Sequence, residues 1–161
     1  MQASFIIPTY NRSSKLQDCI KALFGQNFVK SEFEIVVVDD GSTDDTKDIV
    51  SKLSREGECA VRYFKQKNQG QGVARNLGIR EAKGKILVFI GDDIICTPDF
   101  LREHMQFHNK YRGENEALLG LLLWHPSVKV TPLMDFLTNG SAVLGRFGGH
   151  QFAYEKLLGK E

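Results

Sequence analysis

An α/β fold built on a mainly parallel central sheet flanked by helices follows from three observations in this 161-residue sequence. Short apolar runs alternate with amphipathic helical stretches as far as Tyr111. One of the runs, Glu34-Ile35-Val36-Val37-Val38, is rich in β-branched residues and lacks polar alternation, the pattern of a strand covered on both faces. The runs also stop at turn and cap signals that open the next helix.

Phe5-Ile6-Ile7 reads as a first strand ended by Pro8. From Ser13 to Phe24, Leu16, Ile20, Leu23 and Phe24 recur at helical spacing, with Ser13 or Ser14 as the cap and Gly25 at the close. The second strand, Glu34 to Val38, stops at Asp39-Asp40-Gly41-Ser42, and Ser42 is placed to cap a helix running to Leu53 with Ile49, Val50 and Leu53 inward. Val61-Arg62-Tyr63-Phe64 is a weaker third strand. The Gly-rich link Asn68-Gln69-Gly70-Gln71-Gly72 leads into a helix carrying Val73, Leu77 and Ala82. After Gly84, Ile86 to Ile90 is the fourth strand, and Pro98 sits in the first turn of a helix with Phe100, Leu101, Met105 and Phe107.

Beyond Tyr111 the alternation stops. Ala117 to Trp124 reads as a strand or a buried turn of helix, with Trp124 in a core, or else a platform on which a sugar stacks. The remainder has turn signals but no period, and carries Phe136, Phe147, Phe152 and Tyr154. Residues 1–112 are thus read as a binding core and 113–161 as the start of a second region of one domain.

The length suits one domain with a real core. A net charge of +1 supplies no field that would argue for nucleic acid or an acidic membrane surface. The cysteines, Cys19, Cys59 and Cys96, form no CxxC pair, so neither a zinc site nor a disulfide framework is expected, and reduced thiols in the cytoplasm are the simple reading. Met1-Gln2-Ala3-Ser4 runs straight into a strand without a leader-like stretch, and the longest apolar run is far short of the ~20 residues of a membrane span. Docking at the inner face of a membrane stays open. His104 and His108 lie four apart on one helix as zinc ligands do, but no third ligand motif accompanies them, and packed or surface histidines are expected.

In open parallel sheets, ligands bind outside the carboxyl ends of the strands. Here those ends read Pro8-Thr9-Tyr10-Asn11-Arg12, Asp39-Asp40-Gly41-Ser42 and Gly91-Asp92-Asp93. Singly, each is ordinary turn chemistry. Together they gather acids on one rim, which is costly unless a cation or hydrogen-bond donors meet them, and a divalent ion is the natural partner. The Gly-rich link matches neither the dinucleotide fingerprint nor the P-loop.

The run Phe5 to Arg12 resembles the opening of inverting family 2 glycosyltransferases, as does Glu34 to Thr46. Two further blocks, Asn68-Gln69-Gly70 through Ala74-Arg75-Asn76-Leu77-Gly78 and Phe89 to Pro98, resemble that family in the same order. The resemblance implies a GT-A (Rossmann-like) nucleotide-diphospho-sugar transferase fold, a nucleotide-diphosphate sugar as donor, with UDP favoured, and Mg²⁺ or Mn²⁺ as cofactor. By the same resemblance Pro8 and Thr9 line the nucleoside pocket and Tyr10 packs beside the base. Asp39 accepts from the base's imino edge, Arg75 meets base or diphosphate, Asp92 holds the ribose, and Asp93 holds the metal. Gly91 stands where the family's metal-binding acidic element has its first acid.

Inverting transfer also needs a general base on the acceptor hydroxyl. In the family this is an acid of a later block, often Glu-Asp; after Asp99 the sequence has no such pair, and Asp135 in Pro132-Leu133-Met134-Asp135-Phe136 is a poor substitute. The expectation is a donor-binding portion, truncated before its catalytic base and prone to self-association through Phe136 to Tyr154. A receiver-like signalling domain fits badly, because the first strand ends in Pro8-Thr9-Tyr10 rather than an acidic pair. A nucleotidyltransferase lacks its glycine-rich loop at Asn11-Arg12-Ser13-Ser14-Lys15, and a non-catalytic nucleotide-binding module remains as the alternative.

Overall fold

A computed structural model describes residues 1–113 and 116–134, which belong to two compact units, Met1–Tyr111 and Arg112–Glu161. The first unit holds β1 (Ala3–Thr9), α1 (Ser13–Phe24), β2 (Phe33–Asp39), α2 (Thr46–Glu56), β3 (Ala60–Lys65), α3 (Gln71–Glu81), β4 (Ile86–Phe89) and α4 (Phe100–Lys110). The sheet has the order β3-β2-β1-β4 and every pair is parallel. β1 and β2 run side by side from Ala3↔Phe33 to Thr9↔Asp39, and all residues of both are buried.

The order explains the layers. The chain steps outward from β1 through β2 to β3, then returns past β1 to β4, and right-handed crossovers put helices of the two directions on opposite faces. One face buries Phe5, Ile7, Ile35 and Val37 with Leu16, Ile20, Val50 and Leu101 of the helices. The other is a smaller cluster of Val36 and Val38 against Ala74 of α3. Between β1 and β4 the winding reverses, which opens a crevice at their carboxyl ends.

The strand at Phe5-Ile6-Ile7 continues through Pro8, where the sequence pattern predicts its end. Ile86 N donates to Gln2 O and Ile90 N to Ile6 O, so alternate residues of β1 turn their backbone toward β4. Pro8 follows in that row, beyond the last β1–β4 pair at Ile6↔Phe89, so its missing N–H forfeits no ladder bond. α3 also differs from expectation. Ala74 and Gly78 are its buried residues, while Val73 is exposed. A Cβ at Gly78 would lie 2.4 Å from Cγ2 of Ile6, so the missing side chain is what lets the helix settle on the sheet.

The cap of α1 comes from across the rim, and that of α2 from the residue just before its N-cap. Neither α1 nor α2 has a side-chain cap on its N-cap residue, and α2 starts at Thr46, later than a Ser42 cap would allow. Asp44 serves both: its Oδ2 accepts from Ser13 N at 3.1 Å and its Oδ1 from Thr46 N at 3.1 Å. Ser42 Oγ instead accepts from Asn11 N at 2.9 Å.

In the second unit, the described residues hold neither a strand nor a buried helical turn over Ala117 to Trp124. Leu121 and Leu123 are 82% and 72% exposed and Trp124 is 44% exposed, which corrects the core placement of that run. Apolar composition alone does not bury a segment. Asp135 and the aromatic stretch Phe136 to Tyr154 lie outside the described residues. Among the described residues no helix is long and apolar enough to cross a membrane.

Candidate functional site

The carboxyl ends of β1, β2 and β4 carry the rim. An open pocket of about 350 Å³ lies there, lined by Pro8, Thr9, Tyr10, Arg12 and Asp92 on the β1–β4 side and by Asp40, Asn68, Gly70 and Gln71 on the other. It occupies the crevice where ligands of doubly wound sheets bind.

Asp92 is the centre of the first wall. Its Oδ2 accepts from the Thr9 hydroxyl at 2.8 Å, and its Oδ1 lies 3.1 Å from Arg12. Burial pushes its carboxyl above the ordinary carboxylate value, opposed by Thr9 and Arg12 and reinforced by the charge of Asp93. Arg12 reaches on to Asp93 Oδ2 at 2.8 Å, a contact that holds its guanidinium protonated more firmly than usual. Arg12 owes its aim to Asn11, which adopts a left-handed φ of 52° and accepts from Thr43 N at 2.7 Å. Asparagine tolerates that backbone better than most residues.

The opposite wall is a folded loop pinned by Asp40. Its carboxylate accepts from Gln66 Nε2 at 2.7 Å, Gln69 N at 2.9 Å and Gly70 N at 2.8 Å. Burial opposes ionisation of Asp40, but these three donors outweigh it and hold the group below the usual carboxylate value. Gly41 is required beneath them, since its φ is +90° and a Cβ would lie 2.9 Å from Asn68 N.

Of the residues singled out from sequence, Pro8, Thr9, Tyr10 and Asp92 line the pocket and Asp39, Arg75 and Asp93 do not. Asp39 is 0% exposed. Its Oδ1 accepts from Ser42 N at 2.7 Å and its Oδ2 from the Tyr63 hydroxyl, with Lys65 at 3.8 Å. Burial, reinforced by that hydrogen bond, keeps the Tyr63 phenol protonated well above its usual range. Arg75 is half-buried in the N-terminal half of α3, and Asp93 is half-exposed, joined to the pocket through Arg12.

The sequence reading gave no role to Arg12, Asn68 or Gln71. Arg12 carried one usable signal, a cation at the exit of the first strand opposite two acids at the exit of the fourth. His104 is buried and its ring lies 4.3 Å from that of Phe100, with its pKa lowered by burial and by His108, as a packed histidine rather than a ligand. Among the described residues no group of three or more His, Cys, Asp or Glu is placed to hold a metal on its own. The donor set still suits Mg²⁺ or Mn²⁺ carried in with a phosphate ligand, because such ions use one or two carboxylates and fill the shell with phosphate oxygens and water. Asp93, with a half-exposed carboxylate, is the acid of the β4 exit open to such an ion.

The four-stranded parallel sheet flanked by helices, with its switch point between β1 and β4, is that of a GT-A glycosyltransferase fold. Residues 4–115 match the family model "Glycosyl transferase family 2", and the chain belongs to that family. It is 32% identical over 114 residues to the poly(ribitol-phosphate) beta-N-acetylglucosaminyltransferase TarS of Staphylococcus aureus, covering 71% of this chain and 20% of that protein. It is 39% identical over 95 residues to the glycosyltransferase AglE of Haloferax volcanii, covering 59% of this chain and 31% of that protein. The chain therefore spans a fifth to a third of the length of these relatives. Among solved structures it resembles S. aureus TarS 1–349 in complex with UDP, with TM-score 0.63 and 28% identity over 74% of this chain and 38% of that one. It also resembles the mannosyltransferase PcManGT of Pyrobaculum calidifontis in complex with GDP-Man and Mn²⁺, with TM-score 0.64 and 25% identity over 66% of this chain and 32% of that one.

Proposed function

We propose that this chain binds a nucleotide-diphosphate sugar, preferentially UDP-linked, in the β1–β4 pocket and forms the donor half of a metal-dependent inverting glycosyltransferase. The observation that carries the reading is the pocket itself, with the buried Asp92 held between Thr9 and Arg12 at the sheet's switch point. The complexes of similar proteins with UDP and with GDP-Man and Mn²⁺ support it. Residues 1–112 are the donor-binding core and 113–161 the start of the acceptor side.

In this reading Pro8, Thr9 and Tyr10 bound the nucleoside, with the exposed Tyr10 ring against the base. Asp92 accepts from ribose hydroxyls, and its fixed orientation by Thr9 makes it a ready acceptor. Asp39 reads the imino edge of the base once Tyr63 or Lys65 gives way, and Arg75 turns to the base or diphosphate from α3. Asp93, as the reduced form of the DxD element, holds Mg²⁺ or Mn²⁺. A bound cation would supply charge stabilisation for the departing nucleoside diphosphate. The chain's own residues bind and orient the donor, which is where alignment contributes to rate. No described residue is assigned as the base that activates the acceptor, a saccharide, lipid or protein hydroxyl of a surface polysaccharide or glycan pathway. The three buried, unpaired cysteines suit a reducing compartment, so we place the chain in the cytoplasm, peripheral to the membrane where the acceptor is lipid-linked.

Calorimetry with UDP, GDP and CDP, each with and without Mn²⁺, tests the reading. Binding of UDP that strengthens with Mn²⁺ is expected. Silence with all three nucleotides would remove the proposal, and binding without sugar turnover would favour a non-catalytic nucleotide module.

A further inference from the structure

We infer that Arg12 and a divalent cation compete for the Asp92–Asp93 carboxylates, so that cation and nucleotide diphosphate enter together while Arg12 passes from the acids to the phosphates. This rests on the nucleotide-diphosphate reading of the pocket and adds the order in which that site loads.

One guanidinium spans both acids, 3.1 Å from Asp92 Oδ1 and 2.8 Å from Asp93 Oδ2. The other Asp92 oxygen is engaged by Thr9, so a hard cation arriving at this pair meets Thr9 or Arg12 at Asp92 and, at Asp93, two oxygens of which Arg12 holds one. Two positive centres cannot share these acids closely without mutual repulsion. Arg12 is thus an internal counter-cation for acids that would otherwise repel each other.

The arm is built to move at its head and not at its root. Asn11, just before it, is locked by Ser42 Oγ on its N–H and by Thr43 N on its side chain, and Ser13, just after it, donates to Asp44. The guanidinium end is different: the Arg12 side chain is 45% exposed and lines the pocket, and Asp93 is 48% exposed. The Arg12–Asp93 pair, exposed on both sides, is weak and exchanges readily, whereas at Asp92 only the arginine side is exposed. When released, the planar guanidinium is suited to grip a diphosphate in two-point fashion. Gly91 keeps the ground clear, because a Cβ there would lie 2.8 Å from Asp93 Oδ1 and crowd the carboxylate that has to change partners.

The test is Mn²⁺ binding, read from the electron-paramagnetic signal of the free ion, on the whole chain and on Arg12→Gln, without and with UDP. The variant is expected to bind Mn²⁺ alone about two- to fivefold more tightly, by loss of a competing exposed pair. In the presence of Mn²⁺ it should bind UDP several-fold more weakly. Opposite signs are the signature, since a merely structural arginine would weaken both. Equal or weaker Mn²⁺ binding by the variant, or no Mn²⁺ binding by either chain before UDP is added, overturns the exchange. A wild-type chain that ignores UDP with Mn²⁺ present instead overturns the functional reading of the pocket. Should Arg12→Gln fail to fold by circular dichroism, Arg12→Lys replaces it. A single ammonium cannot span both acids, so the same pair of opposite shifts is expected in smaller measure, and their absence overturns the exchange.

Discussion

Each end of the central sheet buries an acid, and the two are held in different ways. At the amino end Glu34 is 0% exposed, and its Oε1 accepts from Ser4 Oγ at 2.7 Å and Lys83 N at 2.6 Å. Its Oε2 meets Arg62 at 3.3 Å, and Arg62 is anchored in turn on Glu81. Gly84 closes the cluster, donating to Ser4 Oγ at 2.8 Å where a Cβ would lie 2.3 Å from the carbonyl carbon of Ala3. At the carboxyl end Asp92 has one fixed partner, Thr9, and one exposed and exchangeable partner, Arg12, beside an open pocket. Both ends satisfy their acids; among the described residues no buried side-chain polar atom lacks a hydrogen bond. The lesson is that satisfaction alone does not separate a structural acid from a binding one. What separates them is whether the partners are locked backbone and buried side chains, or groups free to be traded for a ligand.

Mutations at the two ends should therefore sort into stability effects and binding effects. Glu34→Ala is expected to cost about 3 kcal/mol or more of folding stability, because it strands donors that a buried network had satisfied. Urea denaturation measures it, and a loss below about 1 kcal/mol would break the contrast. Gly84→Ala should cost about 1–3 kcal/mol by the same assay, since the obstructing atoms are backbone and cannot turn aside. Asp92→Asn should leave the fold intact but weaken UDP binding about tenfold, the worth of a charge-assisted hydrogen bond, as calorimetry would show.

The smallest effect is in pH dependence, and it also separates two acids of the same rim. Asp40 is held below the ordinary carboxylate value, so its contribution is fully present above that value and is lost as pH falls through its lower folded pKa. Asp92 is raised above 3.8, so its ionised form costs stability at neutral pH and the cost is relieved as pH falls through the raised value. Asp40→Asn should therefore be less stable than the parent near neutrality and approach it in acid, while Asp92→Asn should be no less stable near neutrality. Denaturation of both variants across the carboxylate range, compared with the parent, is the measurement.

Most of the fold was legible from local pattern. The β-branched run Ile35 to Val38 gave a strand covered on both faces, and Leu16, Ile20 and Leu23 gave the inner face of α1. Pro8 misled because the rule that proline ends a strand ignores which side its nitrogen faces, and that depends on where β4 stops. The sequence places the caps at Ser13 or Ser14 and at Ser42, whereas Asp44 serves both helices, α1 from across the rim and α2 from two residues away. The apolar run before Trp124 is exposed among the described residues, because hydrophobic composition alone does not specify what packs against it.

By itself the sequence determined the alternation of strand and helix, the parallel sheet and the family, because each of these is written in periods and blocks a few residues long. The tertiary structure alone decided that Asp92 reaches the pocket while Asp39 is buried under Tyr63, and that Arg12 closes over two acids some eighty residues away. The physical reason is that burial and pairing are set by which strand lies beside which, a relation between distant segments that no local pattern encodes.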